Sequence, residues 1–368
     1  MRRSLIHPGL LAILLAIAVA GATLHAHGAP APASSVPDAG SESRLLDVGL
    51  VVFDPGVPAD ASTHSRRGIF PRIREAEAKY MPVMLRRELI RSGDWGVVRV
   101  LPEAQVSSEL LVTGTILHSD GQRLELHIEA RDATGVQWLD RTYTGTATET
   151  DYSKEPHDEP LREVYSEIAA DLLAFRQQKS TGELETIRQV ALLRYASELA
   201  PQVFSSYLGT TPEGRHTLVR LPAENDPMMA RIMRVRKQEY LFIDTIDEQY
   251  ADLADDMAPT YNLWRQFHAE QAEYRQQYEA RVSSRDRRGR SGSFTALKQT
   301  YDNYKWSRIH QQDLEEVALG FNNEVAPTIM HASGTVFELS GTLDRQYSEW
   351  RAILRRIFAL ETGLTPAP

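Results

Sequence analysis

Gln122-Arg123-Leu124-Glu125-Leu126-His127-Ile128-Glu129-Ala130-Arg131-Asp132 is the stretch that decides the fold. Leu124, Leu126, Ile128 and Ala130 fall on one side of an extended chain, and Arg123, Glu125, His127, Glu129 and Arg131 fall on the other. Successive strand side chains point to opposite faces, so unbroken alternation marks a sheet with one face on a core and one in water. Glu109 to Thr115 reads as the preceding strand, joined across Ser119-Asp120-Gly121. Ala133-Thr134-Gly135 turns the chain into a third strand, Val136 to Thr146. Leu161 to Phe175 then places Val164, Ile168, Leu172 and Phe175 in one helical stripe.

Before the meander, Leu46 to Phe53 reads as a strand stopped by Asp54-Pro55-Gly56. Pro71 suits the first turn of a helix reaching about Arg91, which Pro82 is expected to bend or divide. Trp95 to Val100 is extended again. The expected class is α+β: a mostly antiparallel sheet with helices on one face over 44–178, then a mainly α-helical domain over 183–363.

The order strand, helix, strand, three-stranded meander, helix carries a resemblance. Leu111-Val112-Thr113-Gly114-Thr115-Ile116, then Leu124 to Ala130 and the Asp132-Ala133-Thr134-Gly135 turn, mark it most closely. Residues 44–178 resemble a group of bacterial envelope domains. That group includes the N-terminal domain of the Tol-system propeller protein, the curli secretion lipoprotein and outer-membrane activators of peptidoglycan synthases. The resemblance implies an assembly or adaptor role and supplies no catalytic residues. Several members are lipoproteins, whereas this chain has no cysteine to carry a lipid.

Beyond Ser180-Thr181-Gly182 the period is helical. Leu184 to Leu199 is amphipathic, Gly209 to Asn225 is irregular, and Asp226-Pro227 opens a long helix to about Met257. Past Pro259, Tyr261, Trp264, His268, Gln271, Tyr274 and Tyr278 continue its spacing, either as an internal helix contact or as a face for a partner. Phe294 to Phe321 and Leu343 to Leu360 are the remaining helices, the last with Trp350 as a core anchor.

Chemistry-bearing motifs are scarce. There is no His-Glu-x-x-His, calcium loop, Gly-x-Ser-x-Gly elbow, Gly-x-Gly-x-x-Gly or Walker loop, so no metal, cofactor or nucleotide is assigned and no catalytic residue is named. His157 among Glu155, Asp158 and Glu159 reads as a solvated helix start. Asp244, Asp247, Glu248, Asp252, Asp255 and Asp256 read as the wet side of the long helix, not as a paired-carboxylate site. Two segments remain as candidate contacts. Arg285, Arg287, Arg288 and Arg290 make a basic loop for an anionic glycan or lipid headgroup. Asn323, Glu324, His331 and Ser333 lie in a glycine-punctuated break between helices, a candidate binding loop.

The N-terminus supplies the address. Arg2 and Arg3 precede an apolar run from Leu10 to Ala20, followed by small residues at Ala26, Gly28 and Ala29. This order predicts a signal peptide over 1–28, a flexible leader over 29–43, and a periplasmic or secreted protein that is not a lipoprotein. The formal charge is −9 over 368 residues, and removing Arg2 and Arg3 takes it to −11. Such a surface disfavours nucleic acid. With no cysteine, disulfides and thiol chemistry are excluded, so stability rests on core burial. The sequence thus reads as a non-catalytic periplasmic adaptor or scaffold with an envelope protein partner or self-association. The alternatives are a hydrolase of cell-wall glycan or peptide, and a small-ligand or glycan binding module.

Overall fold

The computed structural model describes residues 45–64, 69–105, 107–152, 158–285 and 325–364, with a few helical residues between 312 and 319. Residues 1–28 and 29–43, His157, Arg287, Arg288, Arg290, Asn323 and Glu324 lie outside the described residues, as does most of 294–321.

The chain runs β1 (Val48–Val51), α1 (Pro71–Ser92), β2 (Val98–Leu101), β3 (Leu110–Ser119), β4 (Arg123–Asp132), β5 (Gln137–Thr146), α2 (Arg162–Gln177) and α3 (Thr181–Leu199). There follow β6 (Leu208–Thr210), β7 (His216–Leu218), α4 (Pro227–Arg285), β8 (Val325–Ala332), β9 (Thr335–Gly341) and α5 (Leu343–Thr362). The α+β class holds. The main sheet is mixed, in the order β2-β1-β3-β4-β5. β1 pairs parallel with both β2 and β3, while β3–β4 and β4–β5 are antiparallel. The parallel half follows from α1, which carries the chain back over the sheet so that β2 starts at the same end as β1.

The alternation of β4 is realised: Leu124, Leu126, Ile128 and Ala130 are buried under α1 and α2. Trp138 stacks on Phe175 at 5.0 Å between ring centroids and fixes α2 to the sheet. A bulge between Ile116 and His118 breaks the alternation of β3 and leaves Leu117 exposed.

Pro82 does not divide α1, which is one helix of 22 residues. Proline removes the N–H that would bond the carbonyl four residues earlier, here that of Ala78. The Phe53 amide, just past β1, donates to that carbonyl at 2.8 Å. A tertiary bond thus replaces the missing helical one. The helix ends at Gly93, whose φ of 70° is the left-handed C-cap that glycine adopts without strain. α4 likewise runs through Pro259. The carbonyl that loses its helical partner there belongs to Asp255, an exposed residue.

Two hairpins replace segments that read as irregular. β6 and β7 pair across 211–215, and β8 and β9 pair across Ser333-Gly334. Ser333 and Gly334 have φ of 47° and 75°, the pair of left-handed residues that a two-residue hairpin turn requires. The glycine-punctuated break is therefore largely a β-ribbon. Its inner side buries Thr328, Met330, Ala332 and Leu339.

Candidate functional site

Three polar anchors fix α4 to the sheet and its helices. At the first, Asp247 accepts the Val100 amide of edge strand β2 at 2.8 Å and pairs with Arg86 at 2.7 Å. The edge that β2 would offer to another chain is thereby covered. Beside it Asp244 pairs with Arg99 at 2.5 Å. The sequence reading put Asp247 on the wet side of the helix. The structure corrects this: Asp247 is buried, and burial pushes its carboxyl above the usual range against the pull of the Val100 amide and Arg86.

The second anchor is Glu77 of α1, fully buried. It accepts Tyr261 Oη at 2.6 Å and Ser119 Oγ at 2.7 Å, and faces Arg74 at 3.3 Å. Burial raises its carboxyl pKa, while Arg74, Tyr261 and Ser119 oppose the shift. One turn further along α4, Arg265 grips Glu159 with two bonds of 2.8 and 2.9 Å, and Tyr80 donates to the same carboxylate at 3.0 Å. Arg265 is 1% exposed and lies 4.2 Å from the centroid of the Tyr261 ring. Phe70 packs edge-on to Trp264 at 6.0 Å, and Tyr80 to Tyr261 at 5.2 Å. The aromatic face of α4 at 261–264 is thus an internal contact. The side chains of Gln271, Tyr274 and Tyr278 lie outside the described residues.

The third anchor joins α3, α4 and α5. Glu239 accepts Tyr195 Oη at 2.7 Å and Tyr347 Oη at 2.9 Å, and pairs with Arg351 at 3.1 Å. Gln105, from the β2–β3 loop, donates to Tyr347. Trp350 is the expected core anchor, set against Phe242 and Phe337 at 6.0 and 5.9 Å. Each buried acid at these junctions is matched by an arginine or by hydroxyl donors, as burial demands. At the start of β3, Glu109 accepts the Asp47 amide at 2.9 Å, and burial pushes its carboxyl up to about 7.

The open face of the main sheet carries two clefts of contrasting charge. The first, about 220 Å³, is lined by Asp54, Thr113, Thr115, His127 and Glu129 among others. Asp140 stands directly across from Glu129 in the β4–β5 register. His127 Nε2 lies 3.6 Å from Glu129 Oε1 and 3.4 Å from Asp140 Oδ1. A cation with bonds of about 2.1 Å holds tetrahedral ligands about 3.4 Å apart, close to the two separations from His127, and all three ligand atoms lie within 4.8 Å of one another, so the trio is a candidate metal-ligand set. His127 Nε2 thus lies between the two carboxylates. No sequence motif marks the trio, because Asp140 comes from the neighbouring strand. The available signal was the i, i+2 pair His127 and Glu129 on a wet face.

The second cleft, about 260 Å³, lies at the far end of the same face. Arg131 of β4, Arg194 of α3, His216 of β7 and Ser108 line it. Arg194 donates to the Ala133 carbonyl at 3.0 Å, and the His216 amide donates to Thr134 O at 2.8 Å. The β4–β5 turn is therefore held from both sides.

Of the residues singled out in the sequence, Arg285 ends α4 and its side chain is not among those described. His331 is exposed on the outer side of the β8–β9 ribbon, and Ser333 Oγ donates to Glu361 at 3.1 Å. Ile329 and Val336 share that outer side, 62% and 59% exposed.

No family model matches this chain, and no curated protein does. Among solved structures, a PelC variant dodecamer from Paraburkholderia phytofirmans aligns with 36% of this chain and 90% of its own, at 18% identity and a TM-score of 0.21. That score carries no argument about function. Among the described residues no helix is long and apolar enough to cross a membrane.

Proposed function

We propose that this protein is a non-catalytic adaptor or scaffold of the bacterial cell envelope, exported by its N-terminal segment and working in the periplasm. One observation carries the reading: α4 is fastened to the sheet portion by Asp247, which pairs with Arg86 beside the β2 edge, by Tyr261, which donates to the buried Glu77 of α1, and by Arg265, which pairs with Glu159. Enzymes keep convergent ionisable groups open to a cleft. Here the ionisable groups at the junction serve to make the helical and sheet portions one rigid body. Such a body holds two dissimilar surfaces, the open sheet face and the β8–β9 ribbon, at a fixed separation, which is what an adaptor needs. The likeness of 44–178 to envelope assembly domains supports the same role.

The test is sedimentation of the chain lacking residues 1–28, together with capture from envelope extract and incubation with purified cell wall. The reading expects an oligomer or a defined stoichiometric partner and no released fragments. A monomer retaining no partner overturns it, and release of glycan or peptide fragments favours the hydrolase.

A further inference from the structure

The cleft at the Arg131 end of the sheet has a surplus of positive charge that the chain itself does not neutralise. Three elements contribute: Arg131 stands on the open face of β4 opposite Leu111, Arg194 reaches in from α3, and His216 opens β7. Asp132 is the acid in the lining, and it is already committed. Its Oδ1 accepts the Thr134 and Val136 amides at 2.9 and 3.2 Å, and its Oδ2 accepts the Trp138 indole N–H at 2.8 Å. Glu198, one turn from Arg194 on α3, is held by Arg351 at 2.7 Å and by Arg355. Among the described residues neither Arg131 nor Arg194 forms an ion pair within 4.0 Å.

This arrangement contrasts with the arginines that hold the junctions of the fold. Arg74, Arg86, Arg99, Arg265 and Arg351 each meet a carboxylate at 4.0 Å or less. Arg194 is half-buried, and burial lowers its pKa against the pull of Glu198 and Asp132. Burial and the nearby Arg194 also push the His216 imidazole down. A concave site that works against its own positive charges gains most from an anion, which would reverse both effects. One N–H group of Arg194 is tied to Ala133 O, which orients the guanidinium and leaves its other donors toward the cleft.

We propose that this cleft binds the carboxylate or phosphate group of a sugar-sized ligand, with Arg131 and Arg194 as the two anion clamps and Ser108 and His216 as additional donors. Its volume of about 260 Å³ lies just below that of typical small-molecule pockets and matches a single substituted monosaccharide. The cleft lies at one end of the open sheet face that the adaptor reading names as a surface, but ligand binding by the purified chain needs no protein partner, so its failure and the failure of that reading are distinguishable.

The test is isothermal titration at low ionic strength, where electrostatic binding is least screened. The probes are glucose 6-phosphate, glucuronate and inorganic phosphate, with glucose as the uncharged control. Saturable one-to-one binding of glucose 6-phosphate or glucuronate, with none of glucose, is expected; whichever binds tighter identifies the anion as phosphate or carboxylate. Arg131→Gln and Arg194→Gln should each weaken binding at least about tenfold, the loss expected when a charge-assisted hydrogen-bond partner is removed. Arg131 is exposed, so its variant tests the site without disturbing the fold. Arg123→Gln, which removes an exposed charge already paired with Glu125 at the other end of β4, should leave the affinity unchanged. Absence of saturable binding, or equal affinity in Arg131→Gln, overturns the proposal.

Discussion

Arg265→Leu is the most demanding test of how the helical and sheet portions are joined. Arg265 and Glu159 are 1% and 7% exposed, and two bonds of 2.8 and 2.9 Å link them. Removing the guanidinium leaves Glu159 buried with the Tyr80 hydroxyl and the Leu161 amide as donors and no countercharge. An uncompensated buried charge costs roughly 3–5 kcal/mol. Glu159→Leu alone strands Arg265 in the same way, while the double variant Arg265→Leu/Glu159→Leu removes both charges. Replacing a buried pair with apolar residues of similar size is often close to neutral. The double variant should therefore recover most of the loss, and since the two singles sum to at least about 6 kcal/mol, the double-mutant cycle should give a coupling of at least about 4 kcal/mol. Urea unfolding followed by far-UV circular dichroism, with equal slopes required across variants, supplies the numbers. If Arg265→Leu costs less than about 1 kcal/mol, or the double variant is as unstable as the sum of the singles, the anchor argument is wrong.

Other predictions follow from the same geometry. Burial raises the Glu109 carboxyl from 4.5 to about 7, so the native state holds a proton there that the unfolded chain has released. Its contribution is fully present below pH 4.5 and is lost as pH rises toward 7, by about 3 kcal/mol. Glu109→Gln should remove that loss, so the stability difference between variant and parent must grow in the variant's favour between pH 5 and pH 8. Asp247→Ala strands the Val100 amide and Arg86 together, at a cost of about 2–3 kcal/mol by thermal unfolding, and uncovers the β2 edge, which light scattering will register as association. A Cβ at Gly114 would lie 2.8 Å from the buried Phe53 ring. Gly114→Ala should therefore cost about 1–3 kcal/mol, and Gly182→Ala, which meets nothing within 4 Å, should not.

The parts of this fold legible in the sequence are those whose signal is local. The alternation of Leu124 to Ala130 needs no neighbour to be read, nor does the helical stripe of Val164, Ile168 and Leu172. What depends on distant partners is hidden. The placement of β1 between β2 and β3 is a pairing across some 60 residues, and nothing in Leu46 to Phe53 announces it. Pro82 predicts a broken helix because the Phe53 amide that rescues Ala78 lies outside the local window. Asp247 reads as solvated because the Val100 amide and Arg86 come from other elements. The candidate sites fail for the same reason: His127 meets Asp140 across strands, and Arg131, Arg194 and His216 converge from a strand, a helix and a hairpin. The Ser333-Gly334 turn is the exception. Its two-residue signal between alternating runs was readable, but the surrounding helical character masked it.

The central claim is that a rigid two-surface body engages an envelope component without turning it over. The most direct measurement is in-cell photo-crosslinking from a benzophenone side chain placed singly at Thr142 on the open sheet face, at Val336 on the ribbon, and at Glu163 on the outer side of α2 as control. The account predicts a discrete crosslinked species, with a partner or with a second copy, from Thr142 or Val336 and none from Glu163. Absence of any species from both test positions in a protein that is folded and exported would contradict it.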